Sequence, residues 1–520
     1  MKKASPHRNF AAADLGTNSF HLIIVRLDPQ DGTYRILDRE KEVVRLGSGV
    51  NDLKYLSAQA MNRALATAKR FKGIADAHNA PLRAIATSAI REAVNQDEFI
   101  RRARAEAGIA VEVISGFEEA RLIYLGVLQA LPVYARKILL LDIGGGSTEF
   151  LIGKKGKILY SNSLKLGAIR LTQRFFQSDK LDAKDIRKCR EFIGGMLSPI
   201  VRSVRKQSFD VAVGSSGTVL NLANIIRIRN GSNVVGKLNN FCFDRGDLQE
   251  VVKLLLSKRT ASERSEIIGL DQKRADIIVA GALILEESMQ QLKIRELTVS
   301  EFALREGIIW DAIEKDIHPR KKGAFYNVRD RSVLQLAQTF HYEKVHSHHV
   351  ARLALSMFDQ LKDHHGLGDA EREYLQAAAI LHEIGLFVSH AQHHMHSYYL
   401  IRNSELLGFT DREQEIIANI ARYHRKSFPK QRHEGFGKLL PEDQSVVQKL
   451  SAILRIADGL DRTHKNSVKN VACTRRRHSL KIALSAARRS SLDLELWGAE
   501  RKKDLFEQMF DMRVRFVRKS

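Results

Sequence analysis

Residues Phe10 to Leu27 are largely apolar with a break at Asp14-Leu15-Gly16, a pattern that predicts strand, tight loop, strand. The pattern recurs. Aligning Asp14-Leu15-Gly16-Thr17-Asn18-Ser19 with Asp142-Ile143-Gly144-Gly145-Gly146-Ser147 superposes the aspartate, the glycine and the serine, and each copy runs on into Leu/Ile-rich residues. Such self-similarity predicts two related α/β lobes whose Asp-Gly loops face one cleft. Between the copies, Ala58 to Ala77 has helical period, Leu82 to Ala86 reads as a short strand and Glu98 to Ala107 as a helix. After the second copy, Asp210 to Val213 is a strand that enters Gly214-Ser215-Ser216-Gly217-Thr218, and a helical pattern follows from Val219 to Ile226.

A boundary is expected at His318-Pro319-Arg320-Lys321-Lys322-Gly323, beyond which the texture changes. From Ser332 to about Asp461 the apolar positions keep helical spacing, which predicts an all-α domain. The stretch from Val468 alternates in Ser479 to Leu484 and in Leu492 to Leu496, then ends with a helix and a strand-like Arg513 to Val517, a small α+β cap. The expected division is 1–130 and 131–318 for the two lobes, 324–465 for the helical domain and 466–520 for the cap.

Composition narrows the partners. With 44% hydrophobic and 28% charged residues the chain has a globular balance, but a formal charge of +24 makes an anion the natural ligand. Cys189, Cys242 and Cys473 are far apart and lack metal or redox spacing, so they read as reduced, buried thiols. The basic start, Met1 to Arg8, precedes an apolar stretch interrupted by Asp14, Asn18 and His21, which fits neither a signal peptide nor a spanning helix. A cytoplasmic setting is expected.

Three segments have the chemistry of phosphate loops: small residues for close approach, converging amides and added hydroxyls. They are Asp14 to Ser19, Asp142 to Glu149 and Gly214 to Thr218. Asp14 and Asp142, at strand ends beside such loops, suit a hard cation held directly or through water, magnesium above all.

These loops, together with Ser115-Gly116-Phe117-Glu118-Glu119-Ala120-Arg121 and Leu304-Arg305-Glu306-Gly307, resemble the exopolyphosphatase/guanosine pentaphosphate phosphohydrolase (Ppx/GppA) family in order and spacing, most closely its longer exopolyphosphatase members. The resemblance implies duplicated actin-like lobes of ribonuclease H-like (ASKHA) topology. It also implies hydrolysis with Glu119 as general base, Glu149 orienting the water or the cation, and Arg91 on the phosphoryl oxygens. Thr17, Asn18, Ser19, Gly144, Gly145, Gly146, Ser147, Gly214, Ser215, Ser216, Gly217 and Thr218 would bind phosphate; Asp14, Asp142 and Glu149 would hold Mg2+, with K+ as a candidate second cation. Inorganic polyphosphate is the first expected substrate and guanosine pentaphosphate (pppGpp) the second. A homodimer and peripheral membrane association are further expectations; no specific nucleic acid is expected.

In the helical region, His346-Ser347, Leu381-His382-Glu383-Ile384-Gly385, His396, Tyr423-His424-Arg425 and Ala457-Asp458 follow the order of an HD-type phosphohydrolase. Glu383 stands where catalytic HD domains carry aspartate, so a degenerate, mainly structural domain is expected, with His390, His393 and His394 in an exposed loop. The basic segments Arg422 to Lys426 and Lys430 to His433 are expected to extend a polyanion track. Two rivals were weighed: a sugar or acetate kinase, against which Glu119 argues, and a nucleic-acid-binding or sensory protein, which no RNA-binding motif supports.

Overall fold

The apolar runs that end in Asp14 and Asp142 become the central strands of two sheets. The computed structural model describes residues 8–28, 33–47, 54–178, 180–231, 237–316, 328–404, 406–487 and 491–519; the boundary expected at His318 to Gly323 lies outside them. Two compact units divide the chain, Met1–Val328 and Arg329–Ser520.

In the first unit, strands β1 (Arg8–Leu15), β2 (Ser19–Asp28), β3 (Thr33–Val43), β4 (Leu82–Ala86) and β5 (Val111–Val113) form a sheet in the order β3-β2-β1-β4-β5. A second sheet contains β6 (Ile138–Ile143), β7 (Thr148–Lys154), β8 (Lys157–Leu164), β9 (Val211–Ser215), β10 (Cys242–Asp244) and β11 (Glu296–Val299), in the order β10-β11-β9-β6-β7-β8. The two orders are the same apart from the added edge strand β10. Each begins with an antiparallel three-strand meander, and the next strands run parallel to its first member. This is the duplicated actin-like topology. Strand β6 is buried along its whole length, as expected of a strand covered on both faces.

The helix Gly116–Ala130 follows β5 and packs against the helix Leu304–Asp316 at backbone distance. A Cβ built on Gly126 would lie 2.3 Å from the Ala303 carbonyl oxygen, and one on Gly307 would lie 1.8 Å from that of Leu122. Glycine at both points is therefore a packing requirement, and it sets Arg305 at the start of its helix.

The second unit is helical from Arg329 to Gly459, with the main helices Lys344–Gln360, Asp369–Leu381, His393–Asn403, Asp411–Arg422 and Pro441–Gly459. Strands β12 (Val468–Arg476), β13 (Ser479–Ala486) and β14 (Arg513–Arg518) form a small sheet whose Val468, Leu480, Ile482, Leu484 and Val514 share one apolar core with the helices. A sheet this small buries little by itself, so it closes the helical core instead of forming its own.

Several readings of the sequence are corrected here. Leu492 to Leu496 is not a strand: Asp493–Glu500 is a helix, with Leu492 buried and Leu494 exposed. His393 and His394 are buried in the first turn of a helix, not exposed in a loop, although His390 is exposed. Of the cysteines, Cys189 is buried and Cys242 is exposed on edge strand β10. Among the described residues no helix is long and apolar enough to cross a membrane.

Candidate active site

The duplication is exact enough to pair residues. In the β1–β2 hairpin Asp14 faces His21; in the β6–β7 hairpin Asp142 faces Glu149. The turns close alike, since a Cβ on Gly16 would fall 2.9 Å from the Ser19 carbonyl oxygen and one on Gly144 would fall 3.2 Å from that of Ser147. The two turns meet. A Cβ on Gly145 would lie 3.2 Å from Thr17 Cβ and 3.4 Å from the Asn18 nitrogen, so any larger residue would push the loops apart by a few tenths of an ångström.

Between them lies a cleft of about 350 Å³ lined by Asp14, Gly16 to Ser19, Gly144 to Ser147, Ser216, Gly217 and Glu119. The carbonyl oxygens of Gly144 and Gly145 accept from the backbone of Ala168, Ile169 and Arg170, and that of Gly146 accepts from the Arg170 guanidinium. The acceptor edge of this loop is thus used within the fold, as is the Gly144 amide, which donates to the Ser147 carbonyl at 2.9 Å; the amides of Gly145 to Ser147 are the ones suited to an anion.

Glu119 enters from the first turn of the helix Gly116–Ala130, whose Ser115 cap accepts from the Glu118 amide at 3.2 Å. Its neighbours in the motif turn away: Glu118 pairs with Arg121 at 2.7 Å, and Arg121 reaches Asp311 at 2.7 Å. Glu119 is 7% exposed and accepts from Arg91 at 2.8 Å. Burial raises its pKa above the ordinary glutamate value, and Arg91 opposes that shift. Arg91 is not among the residues lining the cleft; it bonds Glu119 and the Ile114 carbonyl, so it sits behind that carboxylate.

Glu149 also stands back from the cleft, fully buried beside Asp142, with the Ser163 hydroxyl donating to it at 2.8 Å. Burial first, then the charges of Glu119 and Asp142, push it well above the usual carboxylate range. Burial and Glu119 push Asp14 up to about 8, and burial outweighs the Ser215 hydrogen bond to push Asp142 up to about 7. Here is a group of oxygen ligands short of positive charge, the donor set a hard cation needs. Among the described residues no three cleft carboxylate oxygens lie within 4.8 Å of one another, so a cation there would need water or phosphate oxygens to complete its shell.

The third loop contributes less than its composition implies. The helix begins at Ser216, so Ser216 and Gly217 reach the cleft in its first turn. Ser216 holds a left-handed φ of 78° with its hydroxyl on the Ile143 carbonyl. Ser215 is buried and donates to Asp142, acting on that carboxylate and not on the cleft directly. Gly214 and Thr218, expected at the phosphate, are turned into the fold instead: Gly214 packs under Leu297 and Val219, and Thr218 packs against Gly281.

Sequence reasoning missed the basic half of the cleft. Arg39 and Lys41 of β3, Arg274 and Arg305 line it together with His21. The Arg274 guanidinium covers Gly217, where a Cβ would lie 2.1 Å from one of its nitrogens. Burial and then Arg274 lower the Lys41 pKa, and burial with Arg305, Lys41 and Arg274 holds His21 well below the imidazole range. These cations crowd one another, and an anion in the cleft relieves the repulsion. Residues so far apart in sequence carry no shared motif; only the glycine neighbours hinted at close approach.

The sequence model of the Ppx/GppA phosphatase family matches residues 23–316. The chain belongs to the Ppx/GppA phosphatase family. The model of Ppx/GppA phosphatase domain III matches residues 328–502. The crystal structure of an exopolyphosphatase from Cytophaga hutchinsonii is similar to this chain at 32% identity and a TM-score of 0.56, covering 59% of this chain and 98% of that one. A Ppx/GppA family member from Aquifex aeolicus is similar at 29% identity and a TM-score of 0.51, covering 60% of this chain and 100% of that one. In this Ppx/GppA phosphatase each lobe supplies both signs of charge to the cleft: Asp14, Glu119, Arg39 and Lys41 come from the first, and Asp142, Arg274 and Arg305 from the second.

Proposed function

We propose that this Ppx/GppA phosphatase is an exopolyphosphatase that releases terminal orthophosphate from inorganic polyphosphate. The observation that carries the reading is the Glu119 carboxylate, buried against Arg91 and facing a cleft whose lining also includes the glycine loops and the cations Arg39, Lys41, Arg274 and Arg305. An extended polyanion suits that cationic lining; a single small anion needs less of it.

The terminal phosphoryl group would sit against the amides of Gly145 to Ser147 and the turn Gly16 to Ser19. Glu119, held by Arg91, takes a proton from water as its oxygen bonds to the terminal phosphorus and the bridging P–O bond breaks. The bridging oxygen leaves with the shortened chain. Its raised pKa brings the base nearer the working pH, where general-base efficiency is greatest. Asp14 and Asp142, with Glu149 behind them, would hold magnesium, which when bound supplies charge neutralisation at the phosphoryl oxygens. Arg39, Lys41, Arg274 and Arg305 would then hold the remaining anionic chain.

Phosphate release from long-chain polyphosphate and from guanosine pentaphosphate, measured side by side with magnesium and no acceptor, tests the reading. Higher kcat/KM on polyphosphate is expected. Preference for the nucleotide would make this chain a pentaphosphate phosphohydrolase using the same site, and transfer only in the presence of an acceptor would make it a kinase.

A further inference from the structure

The helical unit brings together a second set of polar side chains that the cleft does not use. His346 projects from the helix Lys344–Gln360, His382 and Glu383 follow the end of Asp369–Leu381, and Asp458 lies in the last turn of Pro441–Gly459. One ligand atom from each lies within 4.8 Å of all the others. His346 Nε2 is 3.7 Å from Glu383 Oε2 and 3.7 Å from Asp458 Oδ1, and His382 Nε2 is 3.9 Å from that same Oδ1. Four ligands at about 2.1 Å from a tetrahedral ion stand about 3.4 Å apart, so small side-chain rotations would close this group on one ion.

The rings are already oriented. His346 Nδ1 is bonded to Asp461 at 2.8 Å and His382 Nδ1 to the Ala379 carbonyl at 2.8 Å. Each imidazole therefore has its outer nitrogen fixed and Nε2 turned inward, the arrangement by which outer-shell partners prepare ligating histidines. Both histidines are 0% exposed, and His346 Nε2, His382 Nε2 and Glu383 Oε2 are buried without a hydrogen-bond partner among the described residues. Buried polar atoms are nearly always satisfied, and a cation at the centre would satisfy these three at once. Lys502 does not fill that role: it pairs with Asp458 Oδ2, while Oδ1 faces the histidines.

We propose that His346, His382, Glu383 and Asp458 form a binding site for a divalent first-row transition-metal ion, independent of the cleft that contains Glu119. Two imidazoles and two carboxylates favour manganese, iron, cobalt or zinc over magnesium. The extra methylene of Glu383, which from sequence alone argues against a tight site, is the reach that sets its Oε2 opposite His346.

Cobalt(II) is a suitable probe, because mixed nitrogen and oxygen ligation at low coordination number absorbs strongly in the visible, whereas a six-coordinate oxygen shell absorbs weakly. Full-length protein stripped with EDTA should take up one strongly absorbing Co(II) per chain. Glu383→Gln and Asp458→Asn, both near-isosteric, should each weaken that uptake at least tenfold while the far-ultraviolet circular dichroism stays unchanged. If one variant fails to fold, the other carries the comparison. A wild-type protein with no absorbing Co(II), or a folded variant whose uptake equals that of the wild type, would overturn the assignment.

Discussion

Arg91 donates to Glu119 across 2.8 Å while the same nitrogen reaches the Ile114 carbonyl at 3.0 Å, so the arginine ties the carboxylate to the end of the first sheet. The pair joins the segment after β4 to the first turn of the helix after β5. Its consequences for turnover are separable.

Glu119→Gln keeps the shape and removes the base. Turnover should fall by about 10²–10⁴-fold, the usual worth of a positioned general base, while binding of inorganic phosphate stays near the wild-type value. Steady-state release and equilibrium binding of phosphate check this together; wild-type turnover would reject the role.

Arg91→Ala acts on the same carboxylate through its pKa. As the proposed general base Glu119 works only when deprotonated; burial raises its pKa and Arg91 lowers it. Without the guanidinium the pKa rises further, so the acid limb of kcat/KM against pH should move to higher pH, with recovery at alkaline pH. A limb that stays in place would mean that Arg91 has no hold on the base.

The cationic lining predicts a different signature. Lys41→Met should raise KM for long-chain polyphosphate by about tenfold, equivalent to about 1.4 kcal/mol, and leave kcat nearly unchanged. It should also flatten the dependence of KM on salt, since one screened contact is gone. An unaltered KM across ionic strengths would remove Lys41 from the binding surface.

Packing gives a stability test. Gly307→Ala places a methyl 1.8 Å from the Leu122 carbonyl oxygen and should cost about 1–3 kcal/mol of unfolding free energy as the two helices separate. Gly195→Ala meets nothing within 4 Å inside the helix Ala183–Gln207 and should stabilise by about 0.5–1 kcal/mol. Denaturant unfolding of both variants decides; equal effects would show that close helix approach is not what Gly307 serves.

Much of this was legible beforehand. Ala58–Ala77 and Leu82–Ala86 have the bounds that their periodicity predicts, because one buried face dictates each pattern. Leu492 to Leu496 misled, since a few alternating leucines satisfy a helix with one buried side as well as a strand. His393 and His394 misled as well: a run of polar rings resembles a loop until neighbouring helices cover it.

The order of residues determined by itself the doubled Asp-Gly turn, the loops of small residues and the helical change of texture after Ser332, because steric limits and hydrophobic period act over a few neighbouring positions. Tertiary structure alone decided that Arg39, Lys41, Arg274 and Arg305 share one cleft, and that Thr218 faces a helix instead. Those relationships join positions up to hundreds of residues apart. They depend on strand register and on how lobes and helices pack, which no short stretch of chain encodes.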